Sequence, residues 1–186
     1  MRIIAGIYRS LQLKGQPPQG TRPTSDKLRE TLFNVLGPAV EGSVFLDGFA
    51  GIGAIGMEAL SRGAREVFFV ERARKACALI RENLVSLNVK EGTRVLEAPI
   101  EKALALFARD GTAFDIVFLD PPYDRETLYV ESLAELGAGS LLSDGAMVIM
   151  EHSKRLELPE NAGKLHRYRT LTQGDSTLSF YRAEQT

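Results

Sequence analysis

From residue 43 onward, short apolar runs alternate with amphipathic stretches. The runs SVFLD, EVFFVE, RVLEA, FDIVFLD and AMVIMEH are rich in Val, Ile, Phe and Leu and bounded by charged or turn-forming residues, the pattern of strands buried on both faces. Between them, helical spacing predicts one helix from about 54 to 62 and a second on the stripe Ala76, Leu79, Ile80, Asn83, Leu84 and Leu87. A third opens at Pro99, and a fourth carries Leu128, Leu133 and Leu136. Such alternation predicts a parallel sheet covered by helices. It stops near the end of the chain, where KLHRYRTL, the turn-like QGDS and TLSFYR form an antiparallel hairpin with no helix between. The expected fold class is therefore α/β: a Rossmann-like, mostly parallel seven-stranded sheet ending in an antiparallel hairpin.

The first residues do not share this rhythm. RIIAGIYRSLQL reads as a short hairpin broken at Gly6, with Leu11 and Leu13 alternating around Gln12, and the Gly/Pro/Gln stretch GQPPQG reads as a linker. After Pro23, Thr24 is the expected cap of a helix with Leu28, Leu32, Val35 and Leu36 on one face, stopped by Gly37-Pro38. Residues 1–38 thus form an extension, and 39–186 the main domain.

With 186 residues, 44% hydrophobic and 25% charged, the composition is that of an ordinary soluble globular protein. It excludes disordered, collagenous and disulfide-scaffold classes. No apolar run reaches the roughly 18 residues of a membrane span, and MRIIAGIYRS lacks the apolar stretch and cleavage site of a secretory signal, so a cytoplasmic protein without membrane partners is expected. Cys77, the single cysteine, can form no intrachain disulfide, and its helical context suggests packing. The net charge of −1 does not by itself suggest a polyanion partner, but its distribution does. Residues 1–36 hold Arg2, Arg9, Lys14, Arg22, Lys27 and Arg29 against only Asp26 and Glu30. This local excess suits an arm facing a polyanion, although short basic termini also arise without function. Arg2, Arg9, Arg22 and Thr24 are its candidate substrate contacts, the last two as lid residues.

Between the first strand and its helix, LDGFAGIGAIG contains Gly51-Ile52-Gly53-Ala54-Ile55-Gly56, a literal G-x-G-x-x-G in the right context for a dinucleotide. Asp47 argues otherwise. A carboxylate at the strand end repels a pyrophosphate but suits a cofactor bearing an ammonium and a sulfonium, as S-adenosylmethionine does. Glu71 ends the next strand, where an acidic side chain can accept from both ribose hydroxyls; pairing with Arg72, or capping the next helix, is the structural alternative. Ile100, just past the third strand, would pack on an adenine or in the core. The candidate cofactor contacts are Asp47, Phe49, Ala50, Gly51, Gly53, Glu71, Arg72 and Ile100.

The fourth strand ends in Asp120-Pro121-Pro122-Tyr123. Two prolines fix φ and remove backbone donors, leaving carbonyls to accept hydrogen bonds on a rigid rim. A base amine is a poor nucleophile, its lone pair delocalised into the ring, and it needs acceptors for its N–H groups before that pair can face an electrophile. The Asp120 carboxylate, the Pro121 carbonyl and a ring such as Tyr123 meet that need, with Pro122 and Tyr123 also touching the substrate. Alone, the tetrapeptide could equally be a strand-ending turn; after an acidic, glycine-rich loop on the first strand it is far more specific. At this point the chain resembles the class I S-adenosylmethionine-dependent methyltransferases that modify exocyclic amines of bases.

RIIAG, RPTSDKLRETLFNVL at 22–36, LDGFAGIGAIGMEALSRGA at 46–64, the DPPY and GDSTLSFYR together resemble the RsmD family, the bacterial 16S rRNA (guanine-N2)-methyltransferases. The similarity covers nearly the whole chain, and the RPT…RETLFN block is absent from methyltransferases in general. It implies methylation of a guanine N2 in 16S rRNA with S-adenosyl-L-methionine, on naked RNA or within an assembled or assembling small subunit, with the basic extension aiding RNA recognition. Asp120 and the Pro121 carbonyl would orient the amine for in-line displacement and Tyr123 would stack on the flipped base. Tyr123 stands where Phe also occurs in the family, and Gly48 where Cys is frequent; neither change alters the chemistry.

Three rivals remain at this level. A nicotinamide-dependent oxidoreductase has only the literal glycine pattern behind it, and a non-catalytic RNA-binding module sits poorly with an intact Asp120 and Tyr123. An adenine N6 methyltransferase of DNA or RNA could use the same tetrapeptide. His152 and His166 are isolated and offer no metal-ligand spacing, so no metal is expected.

Overall fold

The computed structural model describes residues 1–15 and 25–184, which belong to two compact units, Met1–Pro99 and Ile100–Thr186. In the first, α1 (Asp26–Leu36) and a 3-10 turn (Gly37–Val40) lead to β1 (Val44–Gly48), α2 (Ala54–Ser61), β2 (Glu66–Glu71), α3 (Arg74–Ser86) and β3 (Thr93–Glu97). The strands lie in the order β3-β2-β1, all parallel, with Asp47 beside Phe69 and Glu71 beside Glu97. Helices on a parallel sheet leave β1 with no wet face, which is why VFLDG is buried along its whole length.

The second unit runs α4 (Ile100–Arg109), β4 (Phe114–Leu119), α5 (Glu126–Ala138), β5 (Leu142–Ser153), β6 (Asn161–Ala162), β7 (Leu165–Gln173) and β8 (Ser176–Ala183). Its strand order is β4-β5-β8-β7-β6; β4 and β5 are parallel and the later pairs antiparallel. The terminal hairpin is therefore as the sequence predicts. The two-residue β6 is an eighth strand among the described residues, too short to have a readable period. In α5 the buried face runs through Tyr129, Ser132, Leu133 and Leu136 rather than through Leu128, one position away on the helix. No described helix is long and apolar enough to cross a membrane.

Two local expectations change. Ser25, not Thr24, caps α1: its side chain accepts from the Leu28 N–H at 3.1 Å. Both are cap-forming residues, so adjacency made the choice ambiguous. Thr24 and Arg22 lie outside the described residues, as does the linker from 16 to 20. Secondly, the first residues double back without forming strands. The Ile3 N–H donates to Leu11 and the Leu13 N–H to Met1, around one isolated bridge between Arg2 and Gln12.

This arm is anchored on α2. Glu58, fully buried, accepts from the Ile4 and Ala5 N–H groups at 2.7 and 3.0 Å and pairs with Arg62 at 2.8 Å; Ser61 accepts from the Tyr8 N–H. Ile3 and Leu13 are in the core. Arg29, also fully buried, donates to the Arg2 carbonyl and to Asp26, and burial lowers its pKa. Three charged or polar side chains thus hold the arm's backbone by hydrogen bonds.

Candidate functional site

In the first unit the chemistry gathers where β1 and β2 end. Phe49 adopts a left-handed φ of 63°, uncommon for a bulky residue and a mark of strain at a functional turn. Gly51 and Gly53 follow with φ of 56° and 84°. A methyl group on Gly51 would meet nothing within 4 Å, so the loop leaves open space there for a ligand to approach the backbone. Gly56 serves another purpose: a Cβ there would stand 2.3 Å from the Phe69 ring, so the glycine lets α2 lie close against β2.

Glu71, half-buried, anchors this loop. One carboxylate oxygen accepts from the Gly51 N–H at 3.0 Å and the other from the Ala73 N–H at 2.8 Å. The helix-capping contact thus forms together with a contact to the glycine loop, while Arg72 is exposed. A carboxylate has about four acceptor sites, so Glu71 keeps capacity for hydroxyl donors. Asp47 behaves differently from the expectation of a carboxylate facing cofactor cations. It is 2% exposed and accepts from the Gly56 N–H in the first turn of α2 at 2.8 Å. Burial above all pushes its pKa up to about 7, with nearby Glu71 adding to the rise and the Gly56 bond opposing it. Its visible role is to cap α2, which has no side-chain cap of its own. Ala50 is buried and donates to the Val70 carbonyl at 2.9 Å, tying the loop to β2; Cys77, buried, donates to the Glu71 carbonyl at 3.2 Å.

In the second unit Asp120 is half-buried just past β4, Pro121 is buried, Pro122 half-buried, and Tyr123 41% exposed. The Pro121 carbonyl is not wholly free, as the sequence suggests. Fully buried Tyr129 of α5 donates to it at 2.7 Å, leaving one lone pair for another donor. Burial first, then the charges of Asp120 and its neighbours, raises the Tyr129 pKa far above the usual phenol range, so it remains a donor at any working pH. The Tyr123 hydroxyl bonds the Ser176 hydroxyl at 3.0 Å, fixing the ring to the start of β8. Ile100 is buried at the start of α4.

Ser176 gave no sequence signal because its partner lies 53 residues away, and Tyr129 gave none because its contact reaches back across the turn between β4 and α5. Arg2 and Arg9 are exposed. His152 is buried between the Ser153 carbonyl and the Ser179 hydroxyl, and burial lowers its pKa; His166 bonds Asn161. Among the described residues no three His, Cys, Asp or Glu side chains gather as a metal site.

Comparison with solved structures defines the class: the fold is that of the class I methyltransferases. Within it, the chain belongs to the RsmD family, matched over residues 1–182 by the family model described as conserved hypothetical protein 95. Ribosomal RNA small subunit methyltransferase D of Escherichia coli K12 is 35% identical over 184 residues, covering 99% of this chain and 90% of the relative. The structure of the Escherichia coli protein yhhF aligns with a TM-score of 0.86 and 35% identity, covering 100% of this chain and 99% of that one. A hypothetical protein of Thermus thermophilus aligns with a TM-score of 0.82, 31% identity and 99% coverage of both chains.

Proposed function

We propose that this protein methylates the exocyclic N2 amine of a guanine in 16S ribosomal RNA, with S-adenosyl-L-methionine as methyl donor. The observation that carries the reading is the Asp120–Tyr123 turn of a family member, its carbonyl and ring fixed by Tyr129 and Ser176. Relatives named ribosomal RNA small subunit methyltransferase D support the RNA substrate, which implies work in the cytoplasm.

The cofactor fits the first unit. Open space over Gly51 admits a ligand, the Gly51–Gly53 backbone lets it approach closely, and Glu71 has acceptor capacity for ribose hydroxyls. Phe49 and Ala50 complete the loop, and Asp47 holds the start of α2. When bound, the cofactor supplies a methyl group on a positively charged sulfur. Asp120 and the remaining Pro121 lone pair accept the amine N–H groups, so that the nitrogen lone pair turns away from the ring; Tyr123 stacks on the base, beside Pro122. Alignment and electrostatics supply the rate, with no general base required before transfer. Residues 1–38 serve as the RNA-facing extension, with Arg2, Arg9, Arg22 and Thr24 as candidate contacts.

The test is tritium transfer from labelled S-adenosylmethionine to naked 16S rRNA, small subunits and DNA, using wild type and Asp120→Ala. Transfer to RNA or subunits that disappears in the variant supports the reading. Transfer to DNA alone, or none, refutes it.

A further inference from the structure

Asn83 lies on the buried face of α3, fully buried, and every polar atom of its side chain is used. Its amide oxygen accepts from the Lys14 N–H at 2.7 Å; its NH2 donates to the Lys14 carbonyl at 3.2 Å and to the Ile52 carbonyl at 3.3 Å. One side chain thereby clips the end of the N-terminal arm to the middle of the glycine loop. Contact extends this link, because a methyl on Gly15 would touch Leu79 at 2.9 Å and the Ile52 side chain at 3.6 Å. The short segment from Gly51 to Gly53 is then fixed at several points: Glu71 accepts from the Gly51 N–H, Asn83 donates to the Ile52 carbonyl, the Ala50 carbonyl accepts from the Gly53 N–H at 2.7 Å, and the Met57 N–H donates to the Gly53 carbonyl at 2.9 Å. Of these, Asn83 is the one that leads from the loop to the N-terminal arm, where Arg2 and Arg9 are exposed.

We propose that Asn83 is a positioning residue through which the N-terminal arm holds the glycine loop in its cofactor-binding shape, so that arm docking and cofactor binding are coupled. This rests on the cofactor reading above. The physical ground is that a carbonyl with a fixed amide donor keeps its peptide plane, while the same amide is held by the arm. Releasing either end leaves buried polar atoms unpaired and frees the Ile52 peptide to turn. Coupling of this kind is reciprocal: whatever orders the arm tightens cofactor binding, and cofactor binding orders the arm by the same factor.

The experiment measures S-adenosylhomocysteine affinity by calorimetry in the full chain and in Asn83→Ala and Asn83→Asp; the aspartate keeps the acceptor for Lys14 but cannot donate to Ile52. Both variants are expected to bind about tenfold more weakly. In methyl transfer, KM for S-adenosylmethionine should rise by a similar factor while kcat stays within about twofold, a split that general loss of structure would not produce. Hydrogen exchange on the unmodified protein should show amides of residues 1–15 more protected, by severalfold, with S-adenosylhomocysteine than without. That reading needs no variant, so it decides the matter even where a substitution prevents folding. Unchanged arm protection in a wild type that binds S-adenosylhomocysteine, or a folded variant with wild-type affinity, overturns the proposal. A wild type that binds no S-adenosylhomocysteine instead overturns the cofactor reading on which it rests.

Discussion

In the proposed reaction Asp120 and Tyr129 divide the work at the turn after β4: the carboxylate would meet the amine, while the phenol donates to the Pro121 carbonyl beside it. Replacing Asp120 by Ala should lower single-turnover methyl transfer by about 10²-fold or more, the effect of removing one transition-state contact, with cofactor affinity within a few fold. Tyr129→Phe should lose about tenfold or less, since it frees the Pro121 carbonyl without removing it. A near-normal Asp120→Ala variant would reduce the tetrapeptide to a structural turn. Asp47 carries a pH signature of its own. Its folded-state pKa stands near 7 against an ordinary 3.8, so the folded protein holds a proton that the unfolded chain releases. Its contribution to stability is therefore full below the lower value and falls as pH rises through the upper one, with a slope of at most about 1.4 kcal/mol per pH unit. Asn cannot titrate yet still accepts from the Gly56 N–H. Denaturant titrations at pH 5, 6 and 7 should show wild-type stability declining more steeply than that of Asp47→Asn; parallel profiles would mean that Asp47 is ionised in the folded protein.

The β1–α2 connection shows why a glycine pattern can be read for its shape before its ligand is known. Gly51 opens toward free space and Gly56 closes against Phe69, two different uses of the same missing side chain. Gly56→Ala should destabilise by about 1–3 kcal/mol through overpacking, and should weaken cofactor binding because α2 carries the loop. Thermal unfolding and calorimetry on one preparation would check both; an unchanged midpoint would mean that α2 can move off the strand at little cost. The strands were legible because burial on both faces leaves an unbroken apolar run, and the helices because their stripes are periodic. Asn83 gave a partial signal, a polar residue within an otherwise apolar stripe, but its partners at Lys14 and Ile52 did not. Tyr129, Ser176 and the Glu58 anchor of the arm gave none, since their meaning lies in contacts more than 40 residues away or in the far side of a turn.

Taken as a whole, the chain sets its basic excess in an arm that is also part of the core. Ile3 and Leu13 are buried, and Glu58, Ser61 and Asn83 hold the arm's backbone. Deleting the arm would thus remove structure as well as charge. Arg2 and Arg9 are exposed, so Arg2→Gln with Arg9→Gln separates the two effects. If each arginine meets a phosphate, the slope of log affinity for RNA against log salt should become shallower by about 1.4, at roughly 0.7 per contact on single strands, with S-adenosylhomocysteine binding unchanged. An unaltered slope would leave the arm a structural role and move the RNA surface elsewhere. The most direct test of the central claim is the chemical identity of the product. Small-subunit RNA lacking the modification, treated with the protein and S-adenosylmethionine and digested to nucleosides, should yield N2-methylguanosine by mass spectrometry; N6-methyladenosine, or no methylated nucleoside at all, would contradict it.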